Sequence, residues 1–151
     1  MIVYRISNEI YKQDISGNGA ALHGSRWNSK NIKMLYTGEY ISLSILESLV
    51  HLSKFDIPQN QFLLTIQIPD IKLEEIKYSK LPEGWQQHLN YTQWIGDQFI
   101  ATDQTLGLKV PSAVVPQEHN ILVNPMHKDF KKVKIVNSEL LELDKRLLQT
   151  G

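Results

Sequence analysis

Four short strings in this sequence carry side chains able to do chemistry. The first is Gly24-Ser25-Arg26-Trp27-Asn28, where small residues lead into a guanidinium, an indole and an amide. A guanidinium there can grip a phosphate with two parallel hydrogen bonds, and the indole can stack on a ring. The same string also reads as a surface arginine beside a core tryptophan. The second is Tyr36, at the end of the apolar stretch Met34–Thr37. Its phenol either faces a pocket or packs along a strand with the hydroxyl in water. The third is Glu47, on the border of an apolar helical face. A carboxylate in that position is partly desolvated, or held ionised by an arginine, or a rim glutamate that reaches solvent. The fourth is Val110-Pro111-Ser112-Ala113-Val114-Val115-Pro116, an apolar run with one hydroxyl. Ser112 lacks the flanking glycines of a nucleophile elbow, which argues against a hydrolase triad. A short buried strand is its other reading.

Other chemistries are narrowed by what the chain contains. There is no cysteine, so disulfides and thiolate zinc sites are excluded. His51, His88, His119 and His127 show no helical metal-ligand spacing, and no metal is expected. Gly17-Asn18-Gly19 followed by Gly24 is not the dinucleotide fingerprint of a Rossmann fold. Lys plus Arg is 16 and Asp plus Glu is 16, a formal charge of zero. A nucleic-acid binder usually carries a basic excess, so direct nucleic-acid contact is not expected. No basic segment leads into a long apolar one, and no apolar run approaches the ~18 residues that span a bilayer. The expected compartment is the cytoplasm, without membrane attachment.

These groups need a frame. A chain of 151 residues suits one domain. Apolar runs and alternation predict strands at Ile2–Ile6, Met34–Thr37, Phe62–Ile68, Ala113–Val115, Ile121–Val123 and Val133–Val136. A helix is predicted over Ser42–Lys54, where Ile45, Leu46, Leu49, Val50 and Leu52 share one arc and Glu47 falls just outside it. A second helix is predicted over Trp85–Ile100, from the spacing of Trp85, Leu89, Ile95 and Phe99. Ser16–Gly24, with three glycines, reads as a loop, and the leucines of Glu139–Leu148 fit a helix or a strand. About six strands and two or three helices make an α+β domain.

In order along the chain, several segments resemble the RES domain, named for an arginine, a glutamate and a serine. They are Tyr4-Arg5-Ile6, the Gly24–Asn28 string, Tyr36-Thr37-Gly38-Glu39, Leu46-Glu47-Ser48-Leu49, Val110-Pro111-Ser112-Ala113 and Asn120-Ile121-Leu122-Val123-Asn124-Pro125-Met126-His127. The family's three residues fall on Arg26, Glu47 and Ser112, and Leu143-Asp144-Lys145-Arg146-Leu147 is similar to the family's ending. Ser25 departs from the pattern, since a second glycine is common there.

The resemblance implies one RES domain over residues 1–151. It also implies a split β-sheet core with flanking helices, like that of ADP-ribosyltransferase toxins. The implied activity is that of a toxin from a toxin–antitoxin pair. It takes NAD⁺ as its substrate, breaks the nicotinamide–ribose bond, needs no cofactor and arrests growth. Arg26, Tyr36 and Glu47 would carry the chemistry. Arg5, Asn28 and Ser112 would bind or orient. The implied partner is an Xre-type helix-turn-helix antitoxin, whose C-terminal part blocks the site in a hetero-oligomer. Two other readings stand beside this one. One is an ADP-ribosyltransferase acting on a protein. The other is a non-catalytic interaction module in which Arg26 and Glu47 form an ion pair. The zero charge disfavours a ribosome-dependent RNA-cleaving toxin.

Overall fold

Short stretches rich in Leu, Ile and Val pair into one seven-stranded sheet. The structure, a computed structural model, describes residues 1–51 and 60–148. Its strands are β1 (Ile2–Asn8), β2 (Leu35–Gly38), β3 (Gln61–Gln67), β4 (Glu74–Glu75), β5 (Gly107–Pro111), β6 (His119–Val123) and β7 (Lys134–Leu140). Three helices flank the sheet: α1 (Asn18–His23), α2 (Ile41–Val50) and α3 (Leu89–Thr102). The strand order is β4-β5-β6-β2-β1-β3-β7, antiparallel except for the short parallel pair β4–β5. The domain is α+β, as expected.

The centre of the sheet is buried on both faces. Ile121 and Val123 of β6 enter one core cluster with Val3, Leu35, Leu64 and Ile66. Leu122, between them, enters the other with Trp27, Met34, Trp85 and Phe99. Successive strand side chains point to opposite faces, so a one-residue slip of β6 would exchange the two sets. Each fully buried Leu, Ile or Val contributes about 1.5–3 kcal/mol, which fixes the register.

The sheet splits between β1 and β2. β1 pairs with β3 from Ile2↔Gln67 to Asn8↔Gln61, but it meets β2 only at Tyr4↔Gly38. Beyond that junction the strands part, leaving a β4-β5-β6-β2 half and a β1-β3-β7 half. Gly38 makes the junction possible. α2 lies directly over it, and a Cβ at Gly38 would sit 2.7 Å from Ser44 Oγ.

Several local expectations are corrected. Ser16–Gly24 is not all loop, because it contains α1. Asp14 accepts the N–H and hydroxyl of Ser16, and the Ser16 hydroxyl accepts the N–H of Asn18. Gly17 and Gly24, both at positive φ, bracket the helix. α2 ends at Val50, and Leu52, Ser53 and Lys54 of the predicted helix lie outside the described residues. Trp85–Ile100 divides into a 3-10 turn at Trp85–Gln87 and α3, because His88 (φ −105, ψ 72) is not helical. Ala113–Val115 is not a strand. The strand stops at Pro111, and the Ser112 hydroxyl accepts the N–H groups of Val114 and Val115, which turns the chain. β7 runs on to Leu140, and Lys145–Leu148 forms a 3-10 turn. β4 and β5 were not predicted. Among the described residues, no helix is long and apolar enough to cross a membrane.

Candidate active site

Where β1 and β2 part, a cleft of about 360 Å³ opens. Tyr4, Arg5 and Ile6 of β1 line one wall, and Tyr36, Thr37 and Gly38 of β2 line the other. α1 contributes Gly19, Ala20 and His23, and α2 contributes Ser44, Glu47 and Ser48. Gly24, Ser25, His51 and Asn120 complete the rim.

α2 turns a mixed face inward. Leu43 and Ser44 are buried, and one turn later Glu47 and Ser48 are half-buried. Ser44 is small enough for the helix to rest on Gly38. Leu46 and Val50, from the predicted apolar arc, are 40% and 58% exposed. Glu47 therefore points into the cleft. Its Oε1 accepts two hydrogen bonds, from Ser112 Oγ at 2.6 Å and from Asn120 Nδ2 at 2.8 Å. Ser112 is fully buried behind it.

Arg5 bridges the gap that the ladder leaves open. Its Nη1 donates to the Tyr36 carbonyl at 3.4 Å, and its Nε is buried with no partner among the described residues. Burial lowers the guanidinium's pKa, an effect opposed by the charge of Asp14. An arginine stays cationic in proteins even so. The half-buried guanidinium lines the cleft and sets a positive charge on its wall, where an anionic oxygen is favoured.

Tyr36 is held on the opposite wall. Its hydroxyl donates to Asn28 Oδ1 at 2.6 Å and accepts the Trp27 N–H at 2.9 Å. Burial holds the phenol pKa well above its usual value, so the group stays protonated. Asn28 is fully buried. Its Nδ2 reaches the carbonyls of Ala20, Ser29 and Ile32 at 2.9, 3.1 and 3.0 Å. It does not line the cleft; it ties α1, its own loop and Tyr36 together.

Arg26 stands apart from these groups. Its Nη1 donates to the Gln86 carbonyl at 2.8 Å, and its guanidinium lies 6.0 Å from the centre of the Trp85 ring. Among the described residues it makes no ion pair with Glu47, the contact that the non-catalytic reading required. The structure thus gathers Arg5, Tyr36 and Glu47 around one cleft. It sets Ser112 behind Glu47 and Asn28 behind Tyr36, and it turns Arg26 toward the 3-10 turn.

One face of α3 carries the loop that joins these groups. Gln93 Nε2 donates to the Ser25 carbonyl at 2.9 Å, and the Thr92 hydroxyl donates to the Arg26 carbonyl. Asp97 accepts the Ser29 N–H at 2.9 Å and the Ser29 hydroxyl. Gly96 faces the Trp27 carbonyl so closely that a Cβ would lie 1.6 Å from its oxygen. Positions 92, 93, 96 and 97 share one helical face.

Sequence reasoning missed all four of these residues, and also Asn120 and His23. Asn120 stood inside a matched string, but only its pairing opposite Gly38 on the β2–β6 ladder brings it to Glu47. His51, at the C-terminal cap of α2, is exposed yet lines the cleft.

The RES domain model matches residues 2–144. A Toxin Res of Photorhabdus laumondii is 35% identical over 153 residues, covering 99% of this chain and 98% of that protein. A Toxin Res of Yersinia enterocolitica is 34% identical, over 87% of this chain and 88% of its own. A Prs ADP-ribosylating toxin of Sphingobium is 36% identical over 126 residues, 80% of this chain and 78% of that one. Among solved structures, the M. tuberculosis MbcT-MbcA toxin-antitoxin complex superposes with a TM-score of 0.76, covering 93% of this chain and 83% of that one. At 16% identity that likeness speaks for the fold alone. On the family match and the near full-length relatives together, this chain belongs to the RES-domain family of toxins.

Proposed function

We propose that this chain is the toxin of a toxin–antitoxin pair and that it cleaves the nicotinamide–ribose bond of NAD⁺ in the cytoplasm. The observation that carries this reading is Glu47. It is one carboxylate, anchored by two donors, in a cleft that the cationic Arg5 also lines. Breaking the bond sends its electron pair to nicotinamide, which leaves as a neutral ring. Positive charge then gathers on the ribose C1′ and ring oxygen. A fixed carboxylate beside that charge lowers the barrier, because it needs no reorganisation as the charge develops. The acceptor adds to C1′ and gives up its proton.

The proposed roles are as follows. Glu47 faces the ribose and stabilises the cation. Arg5 takes a phosphate oxygen of the dinucleotide. Tyr36 forms the wall at the nicotinamide end, Asn28 holds Tyr36, and Ser112 orients Glu47. Arg26, outside the cleft in this conformation, would contact a phosphate or the ribose only after leaving the Gln86 carbonyl. In the conformation described it acts through its neighbours Ser25 and Trp27 and the turn it holds. NAD⁺ is substrate, and the reading calls for no cofactor or metal. An Xre-type antitoxin covering the cleft would silence it.

Incubating the purified chain with NAD⁺ and following free nicotinamide tests the proposal. Release is expected, and NAD⁺ left intact would end it. The name of the Sphingobium relative favours a second reading, transfer of ADP-ribose to a protein. The same cleft serves both, and only the acceptor differs. A mass increase on a host protein, seen by mass spectrometry, would choose transfer. Free ADP-ribose, with water as acceptor, or its 1″-phosphate, with inorganic phosphate as acceptor, would choose cleavage.

A further inference from the structure

We infer that Asn120 is a positioning residue for Glu47. Together with Ser112 it fixes which carboxylate oxygen works, holding Oε1 in the wall and offering Oε2 to the cleft. The argument is one of hydrogen-bond direction. A serine hydroxyl has one proton to give and two lone pairs to receive. The N–H groups of Val114 and Val115, each 3.0 Å from Ser112 Oγ, take the lone pairs. The hydroxyl proton is then committed to Glu47 Oε1 at 2.6 Å. A side-chain amide nitrogen can only donate, and Asn120 Nδ2 donates to the same oxygen at 2.8 Å. Oε1 therefore accepts twice and has no place for a proton. Any proton that Glu47 takes up, and any contact with a ribose hydroxyl, belongs to Oε2. The same count removes Ser112 as a nucleophile, since neither lone pair is open.

Asn120 can do this because of where the sheet places it. It sits near the start of β6, paired with Gly38 on one side and Val110 on the other. Strands on both sides hold its backbone, so its amide is a fixed donor. Glu47 is a long side chain on a helix and would otherwise sample several rotamers. Two donors, one on β6 and one just past the end of β5, select one.

The inference takes its substrate from the proposed function, while its geometry stands apart from that reading. The test is a double-mutant cycle of wild type, Asn120→Ala, Glu47→Ala and the double variant, scored by NAD⁺ turnover and by growth arrest of a bacterial host. Asn120→Ala should lower kcat about tenfold to a hundredfold, the contribution of one hydrogen bond to a charged group, with little change in KM. In the Glu47→Ala background the same change should remove nothing further, because Asn120 acts through the carboxylate. NAD⁺ affinity measured by calorimetry in that background should also be unchanged. Asn120→Asp keeps the size but sets a carboxylate against Oε1, so it should be the worse of the two variants. It also carries the test if the alanine variant fails to fold by circular dichroism. Full turnover in Asn120→Ala would overturn the inference. So would losses that multiply in the double variant, or weakened NAD⁺ binding. If wild type arrests growth without consuming NAD⁺, the NAD⁺ reading fails. The cycle scored by growth then still decides the role of Asn120.

Discussion

Tyr36 shows how a single side chain can serve both the wall of the cleft and the fold beneath it. Tyr36→Phe strips the donor from Asn28 and the acceptor from the Trp27 N–H. Leaving buried polar groups unpaired costs about 1–3 kcal/mol, a loss that denaturant unfolding would show. The raised pKa adds a pH signature. The folded phenol holds its proton at pH values where the unfolded one, with a value of 10.0, has lost it. The Tyr36 contribution is thus fully present below pH 10 and is lost as pH rises toward the folded value. Wild type should lose more stability than Tyr36→Phe above pH 10, and equal slopes would contradict this. Arg26→Lys should also be a poor exchange. An ammonium lacks the planar fork that can hold the Gln86 carbonyl while presenting a further donor to a substrate oxygen. Reduced NAD⁺ turnover with an unchanged circular-dichroism spectrum is expected. At this scale the sequence already named Arg26, Glu47 and Ser112. What each touches was not legible, because Glu47 meets Ser112 and Asn120 across 65 and 73 positions of chain.

Among the elements, α3 and its hold on the loop before β2 give the clearest case. Gly96 sits in mid-helix, where glycine is usually unfavourable, because the Trp27 carbonyl passes against it. Gly96→Ala would force α3 and the loop apart and should destabilise the protein by about 1–3 kcal/mol or more, with a fall in turnover. Gly19→Ala is the contrast. A Cβ there meets nothing within 4 Å, so the α1 variant should be as stable as wild type or more so. Thermal unfolding of the two would check both. Periodicity found α2 and α3 but chose the wrong face of α2. It scores Leu46 and Val50 as inward, whereas close approach to Gly38 turns Ser44 inward and leaves those two exposed. Glycines were read as loop in Ser16–Gly24, although two of them bracket α1. The apolar run after Pro111 was read as strand because nothing local shows that the Ser112 hydroxyl caps a turn.

For the whole molecule, the count of strands and helices made the α+β class legible, and the family resemblance made the divided sheet so. β4 is two residues long, and β5 hides beside a proline-bracketed turn, so neither announces itself. The parting of β1 from β2 is a tertiary fact that sets the cleft between two half-sheets. If the cleft degrades NAD⁺, expressing the chain without a partner should stop growth of a bacterial host and lower its NAD⁺ pool. Co-expressing a cognate antitoxin should restore both, and growth arrest at a normal NAD⁺ level would count against the reading. The most direct measurement compares purified wild type with Glu47→Gln, which keeps the side chain's size and removes its charge. Nicotinamide release from NAD⁺ should fall about a hundredfold to a thousandfold, while NAD⁺ affinity by calorimetry stays roughly unchanged. Release by the variant at the wild-type rate would contradict the central role given to Glu47.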